Sequence, residues 1–335
     1  VVYTGMAYFG DYLQGVSWHS HEMVFGFSMA VMTGFLFTAV RNWTGLSSPS
    51  GWVLGAIAAV WIAARILLVV GPASIGVILD VLFLPLVTIA IAIPVCRSRN
   101  KRNFKVVAIV AVLAILHFVV HLALNGVLPA SWSRPALFAA IDVFVILFAV
   151  VGGRVIPAFT GNAVPDANPA HRTWVEVGAF GLLLLLAVTT LTGGELALPA
   201  GQTALLAFLA AAAHSLRLAL WQPGRTLGHP LLWMMPVAYS WLPLALVLRG
   251  LAGLALVVPG AWIHALTAGA LTSLMVAMMM RSTLGHTGRE LKASRVDVVV
   301  FLLLQLGAVI RVLSGTVGDH RTMTMLAGLS WTAAF

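Results

Sequence analysis

Apolar runs of roughly twenty residues recur along this chain of 335 residues, and a stack of membrane-crossing helices is the architecture that accommodates so many of them. A helical run of that length matches the hydrocarbon thickness of a bilayer. In lipid a helix also satisfies its own backbone hydrogen bonds, which an irregular segment cannot do. Hydrophobic residues make up 61% of the chain and charged residues 9%, whereas about a quarter of an ordinary soluble domain is charged. The pattern predicts an all-α, polytopic transmembrane helix bundle that forms one domain over 1–335, with the lipid bilayer as its first partner.

The apolar windows place about eleven spans, near 18–40, 52–70, 74–95, 104–125, 135–158, 174–192, 202–221, 230–253, 259–281, 296–314 and 322–335. Turn signals at Gly71-Pro72, Leu128-Pro129, Pro223-Gly224 and Pro259-Gly260 fall between spans or at their starts. Residues 1–15 carry an aromatic-rich amphipathic stretch that reads either as the tail of an earlier helix or as an interfacial segment. Val1 is not an initiator methionine and Phe335 falls inside an apolar run, so the natural protein is expected to extend beyond both.

The net charge of +9 does not imply a nucleic-acid partner, because the positive residues lie in short loops between spans. Arg97, Arg99, Lys101, Arg102 and Lys105 follow the third span; Arg281, Arg289, Lys292 and Arg295 follow the ninth. One orientation puts both clusters in the cytoplasm and about fourteen of the 19 Lys and Arg residues at cytoplasmic ends. The single cysteine, Cys96, excludes a disulfide framework, a CxxCH haem attachment and cluster ligation by several thiolates.

Orientation turns position into depth. His19, His21 and Glu22 enter from the outside, His121 leaves toward it, and His264 lies about one turn in from it. Asp80, Asp142 and Arg65 fall in the same outer half, with His117 and His214 nearer the midplane. Ionisable residues in hydrocarbon are costly, and imidazole is the commonest protein ligand for transition metals. A buried metal or haem site is therefore expected at this level, with His19, His21, His121 and His264 as metal ligands and His117 and His214 as further cofactor contacts.

Spacing refines the set. His117 and His121 stand four apart on one helix face, with Asn125 extending the stripe, so both imidazoles can meet one centre or form a polar interhelical stripe. His19 and His21 stand two apart, so on a regular helix they point in nearly opposite directions; they converge only if the helix begins at His21. Arg65 requires an acid at its depth, Asp80 or Asp142. Arg217 shares a face with His214 and reads as a snorkelling side chain.

Three motifs then carry a resemblance. Trp18-His19-Ser20-His21-Glu22-Met23-Val24-Phe25-Gly26 with Asn42-Trp43-Thr44-Gly45 comes first. Gly152-Gly153-Arg154-Val155-Ile156-Pro157-Ala158-Phe159-Thr160 is central, and His264-Ala265-Leu266-Thr267 with Leu284-Gly285-His286-Thr287-Gly288-Arg289 is third. In order and spacing they resemble the NnrS family over essentially the whole chain. The resemblance implies a bacterial inner-membrane protein of about twelve helices that contains haem and copper and is linked to nitric oxide metabolism. On that comparison the first family helix is largely missing here and the last is incomplete. By depth, Glu22, Arg65, Asp80 and Asp142 are expected to form a polar network within the membrane, which Arg154 of the central motif joins.

Three functions are then in competition. One is a haem and copper protein acting on nitric oxide or nitrosyl–iron species, with an electron donor the sequence does not name. The others are a proton- or metal-coupled transporter using Arg65, Asp80, Asp142 and Glu22, and an accessory protein of a respiratory complex.

Overall fold

The computed structural model describes residues 12–192 and 198–335; most of the amphipathic stretch at 1–15 lies outside them. Eleven helices are seen among the described residues, with no strand, and ten are long and apolar enough to cross a membrane. They are α1 Gly15–Thr44, α2 Gly51–Val70, α3 Ala73–Arg97, α4 Phe104–Leu124, α5 Ser133–Ala163 and α6 Thr173–Leu191. After these come α7 Ala200–Leu220, α8 Pro230–Gly253, α9 Pro259–His286, α10 Arg295–Leu313 and the shorter α11 His320–Ala333. The chain is a multi-pass membrane protein. Its backbone divides into two compact units, Val1–Leu147 and Phe148–Phe335.

The expected punctuation holds. Gly45 closes α1 in the left-handed conformation, at φ +70°, with its N–H donating to the Arg41 carbonyl. Gly71 ends α2 and Pro72, which has no N–H to give, leads directly into α3. Ser294 and Asp297 form a reciprocal capping box at the start of α10.

In the first unit α2 packs on α3, α3 on α4, and α1 on α3. The buried stripe of α3 runs through Gly76, Asp80, Phe83, Leu84, Val87 and Ile91, so Asp80 sits in the middle of a packing face. The stripe of α4 runs through Val106, Val110, Leu113, His117, Val120 and His121. A Cβ on Gly76 would lie 2.9 Å from the Leu68 nitrogen, so glycine lets α3 approach α2 one turn ahead of Asp80.

Two helices are not α-helical throughout. Residues Glu22–Ser28 of α1 and Ala265–Leu271 of α9 are π-helical, a conformation found in under about 1% of residues and concentrated at functional sites. In the second unit α7 packs on α6 and α8, α8 on α9, and α10 on α11.

Candidate metal centre

The first unit brings His21 of α1, Asp80 of α3, and His117 and His121 of α4 to one point. All four are buried, none more than 2% exposed. His21 Nε2 lies 3.0 Å from His117 Nε2 and 3.3 Å from His121 Nε2, and the last two are 3.1 Å apart. Asp80 Oδ2 is 3.1, 3.3 and 3.0 Å from the nitrogens of His21, His117 and His121. Six nearly equal separations among four atoms define a tetrahedron. Its centre is about 1.9 Å from every donor, against about 2.0 Å for a first-row metal bonded to imidazole nitrogen or carboxylate oxygen.

The surrounding groups orient the donors. His21 Nδ1 donates to Glu22 Oε1 at 3.0 Å; a carboxylate only accepts, so in neutral His21 the lone pair is on Nε2. His121 Nδ1 is 2.9 Å from the Tyr12 hydroxyl, which accepts from Asn125 Nδ2 at 2.7 Å. Asp80 uses its second oxygen, Oδ1, to accept from Arg65, and Arg65 Nε is 3.1 Å from Glu22 Oε2. His117 Nδ1 has no hydrogen-bond partner among the described residues, and its ring stacks on Phe25 at 4.3 Å. Arg65 lies against Trp61, whose indole donates to the Gly26 carbonyl.

Local sequence explains this placement. α1 is a regular helix up to His21, so His19 faces away and is exposed, and the alternative in which both histidines converge does not occur. The π turn begins at Glu22. It lets the Glu22 side chain fold back past Gly26, where a Cβ would come within 2.5 Å of Glu22 Oε2. Of the two acids expected for Arg65, Asp80 is the partner, joined by Glu22. The spacing of His117 and His121 on α4 delivers both rings to one centre, as read from the sequence.

Other expected site residues lie elsewhere. Asp142, also in the first unit, is buried but outside the four-residue group. His264, Arg154 and His214 belong to the second unit. There His214 Nδ1 is 2.8 Å from the Tyr239 hydroxyl, which accepts from Arg217 at 2.6 Å.

Arg217 does not snorkel. It is 2% exposed, pairs with both oxygens of Glu176 at 2.7 and 2.8 Å, and donates to the Ala149 carbonyl. An acid on the neighbouring helix makes burial tolerable, and Phe180 and Trp221 cover the guanidinium. The Gly152-Gly153 motif seats this group: a Cβ on Gly152 would crowd the Tyr239 ring, and one on Gly153 would overlap the guanidinium.

Sequence reading missed Tyr12, Phe25, Trp61, Glu176 and Tyr239. For Glu176 a signal was present: it lies in the first turn of α6 and Arg217 in the last turn of α7, so consecutive spans of opposite direction put both on the same side of the membrane.

Against known proteins, the family model for NnrS protein matches residues 1–335, the whole chain. No curated protein matches it.

Proposed function

The chain belongs to the NnrS family, and on that premise we propose that it is a copper- and haem-containing protein of a bacterial inner membrane, acting in nitric oxide metabolism, detoxification or tolerance. Copper is held by His21, Asp80, His117 and His121. The observation that carries this reading is the donor tetrahedron: three imidazole nitrogens and a carboxylate oxygen face one point at 3.0–3.3 Å, and a cation at that point would satisfy all four at once.

The donor set favours a small bare ion. A porphyrin brings four donors of its own and takes at most one axial ligand on each face, so four protein donors converging on one point leave no room for its plane. Haem is therefore assigned elsewhere in the chain. Tetrahedral nitrogen and oxygen coordination suits cuprous copper and zinc better than cupric copper, which prefers a tetragonal site.

Charge makes the same selection. Asp80 and Glu22 against Arg65 leave one net negative charge in the cluster, so a monovalent ion brings it to neutrality where the dielectric is low. Bound copper would supply one-electron chemistry and an affinity for nitric oxide.

The residues of the chain do the rest. Asp80 and the three imidazoles hold the ion, Glu22 and Tyr12 fix the ring orientations of His21 and His121, and Phe25 and Trp61 keep the surroundings apolar. Nitric oxide is small and neutral, so it can arrive through lipid without an aqueous path. Engagement of Glu22, Arg65 and Asp80 at a fixed four-donor point supports a resident centre over a transport path.

The experiment is metal analysis of purified protein, with spin resonance spectra of the oxidised, cupric form before and after nitric oxide, since the cuprous form is silent. The expected result is one copper per chain in this site, lost in His121→Ala, and a spectrum altered by nitric oxide. Zinc in its place, or copper retained in the triple variant of His21, His117 and His121, overturns the copper assignment. A copper spectrum indifferent to nitric oxide overturns the functional one.

A further inference from the structure

The end of the first unit opposite the donor cluster gathers charge of one sign. There α1 and α3 finish and α4 begins, with residues 98–103 joining the last two. Arg41 lies in the last turn of α1 and Arg97 in that of α3. Arg99, Lys101, Arg102 and Lys105 follow within eight residues of Arg97, and all six cations are exposed. The turn that carries them is fixed. Arg99 takes the left-handed conformation at φ +52°, with its N–H donating to the Cys96 carbonyl at 3.0 Å. The Asn100 side chain donates to the Trp43 carbonyl at 2.8 Å, which ties the turn to the end of α1 and brings the cations to one corner.

The sequence supplies no acid to this corner. The acids of residues 1–147 are Asp11, Glu22, Asp80 and Asp142. Glu22 and Asp80 serve the donor cluster, Asp142 is in the third turn of α5 at the end where α4 finishes, and Asp11 precedes α1 outside the described residues.

Two general rules fall short of explaining this. The bias toward positive cytoplasmic loops sets no condition on acids. In the second unit those loops mix the two signs, Asp166 with Arg172, Glu290 with Arg289 and Lys292, and Asp297 with Arg295. Helix dipoles favour Arg41 and Arg97 at C-terminal ends, but they disfavour Lys101, Arg102 and Lys105 at the N-terminal end of α4. Six cations gathered without an acid repel one another, and a bound anion relieves the repulsion.

What adjoins the cations identifies the anion. Ile93 and Ile89 precede Arg97 by one and two turns on one face of α3 and are 48% and 57% exposed. Phe104, between Arg102 and Lys105, is 41% exposed, and Val112 continues the exposed face of α4 two turns beyond Lys105. A soluble anion makes no use of apolar surface beside its charge. A phospholipid presents a phosphate and acyl chains in that same relation.

We propose that this corner is a binding site for an anionic glycerophospholipid, with its phosphate among the six cations and its acyl chains along α3 and α4. The site is independent of the metal centre at the other end of these helices.

The experiment is native mass spectrometry of the full chain in detergent, with phosphatidylglycerol and separately with phosphatidylcholine. One phosphatidylglycerol is expected to stay bound under conditions that strip phosphatidylcholine. Each cation near an anionic headgroup contributes about fivefold in affinity, so the triple variant Arg99→Gln, Lys101→Gln, Arg102→Gln should weaken binding roughly 100-fold. The triple variant Arg289→Gln, Lys292→Gln, Arg295→Gln removes as many cations from the second unit and should change binding little. Equal retention of the two lipids by the wild-type protein overturns the proposal without any variant. Wild-type binding by the first triple variant, or an equal loss in the second, also overturns it. Displacement of the lipid by inorganic phosphate would assign the corner to a free anion instead.

Discussion

Arg65 holds Asp80 by one carboxylate oxygen, Oδ1, and so leaves Oδ2 to the three imidazoles. The same guanidinium reaches Glu22, which fixes His21, so a single cation stands behind two of the four donors.

Removing that cation isolates two acids in the membrane. Arg65→Leu is expected to lower stability by roughly 3–5 kcal/mol, the usual consequence of deleting one partner of a buried ion pair. Adding Glu22→Gln should recover part of the loss. Unfolding of metal-free protein in detergent, run as a double-mutant cycle, checks both; fully additive losses would refute the shared pairing.

The two histidines of the first motif should behave differently. His19→Ala is expected to leave metal content unchanged, because His19 is exposed on the opposite side of α1. Asp80→Asn should release the ion, since an amide oxygen carries no charge to offset it. Chelator competition distinguishes the two, and equal losses would count against the tetrahedral assignment.

Glycine at position 26 has a consequence for affinity. A methyl group there meets Glu22 Oε2 at 2.5 Å, so Gly26→Ala should push the carboxylate off His21 and Arg65. Loss of such an outer partner lowers metal affinity about 10–100-fold. Gly34→Ala, on the same helix with nothing within 4 Å, is the control and should leave affinity unchanged.

In the second unit Gly153→Ala places a methyl group on the Arg217 guanidinium. Overpacking of that kind costs about 1–3 kcal/mol, and disturbing the Glu176 pair adds to it. Combined with Arg217→Met the effect should be less than additive, because the clash is gone. Thermal unfolding of the four proteins measures the coupling, and strict additivity would show that Gly153 acts elsewhere.

Much of this was legible from the sequence, and the gaps have physical causes. Depth is one coordinate of three: it put His19, His21, His121 and His264 near one level, with His117 closer to the midplane, without saying which of them share a lateral position. Helical spacing supplied the missing coordinate for His117 and His121, because α4 is regular. It could not place Glu22, which depends on a π turn that periodicity does not encode. Asp80 was read as the counter-ion of Arg65 and not as a metal donor, although its two oxygens allow it both roles. The burial of Arg217 was missed because its acid, Glu176, lies on another helix, so only the membrane side they share, and no local spacing, pointed to the pair.

The four donors come from α1, α3 and α4, which a ribosome delivers in that order. Until α4 has entered the bilayer the chain offers His21 and Asp80 alone, too few to retain an ion. On the proposed function, metal loading would therefore be a late step of biogenesis, following a metal-free stage in which Asp80 is already neutralised by Arg65. A chelator present during synthesis should leave insertion intact and yield protein that can still be loaded afterwards.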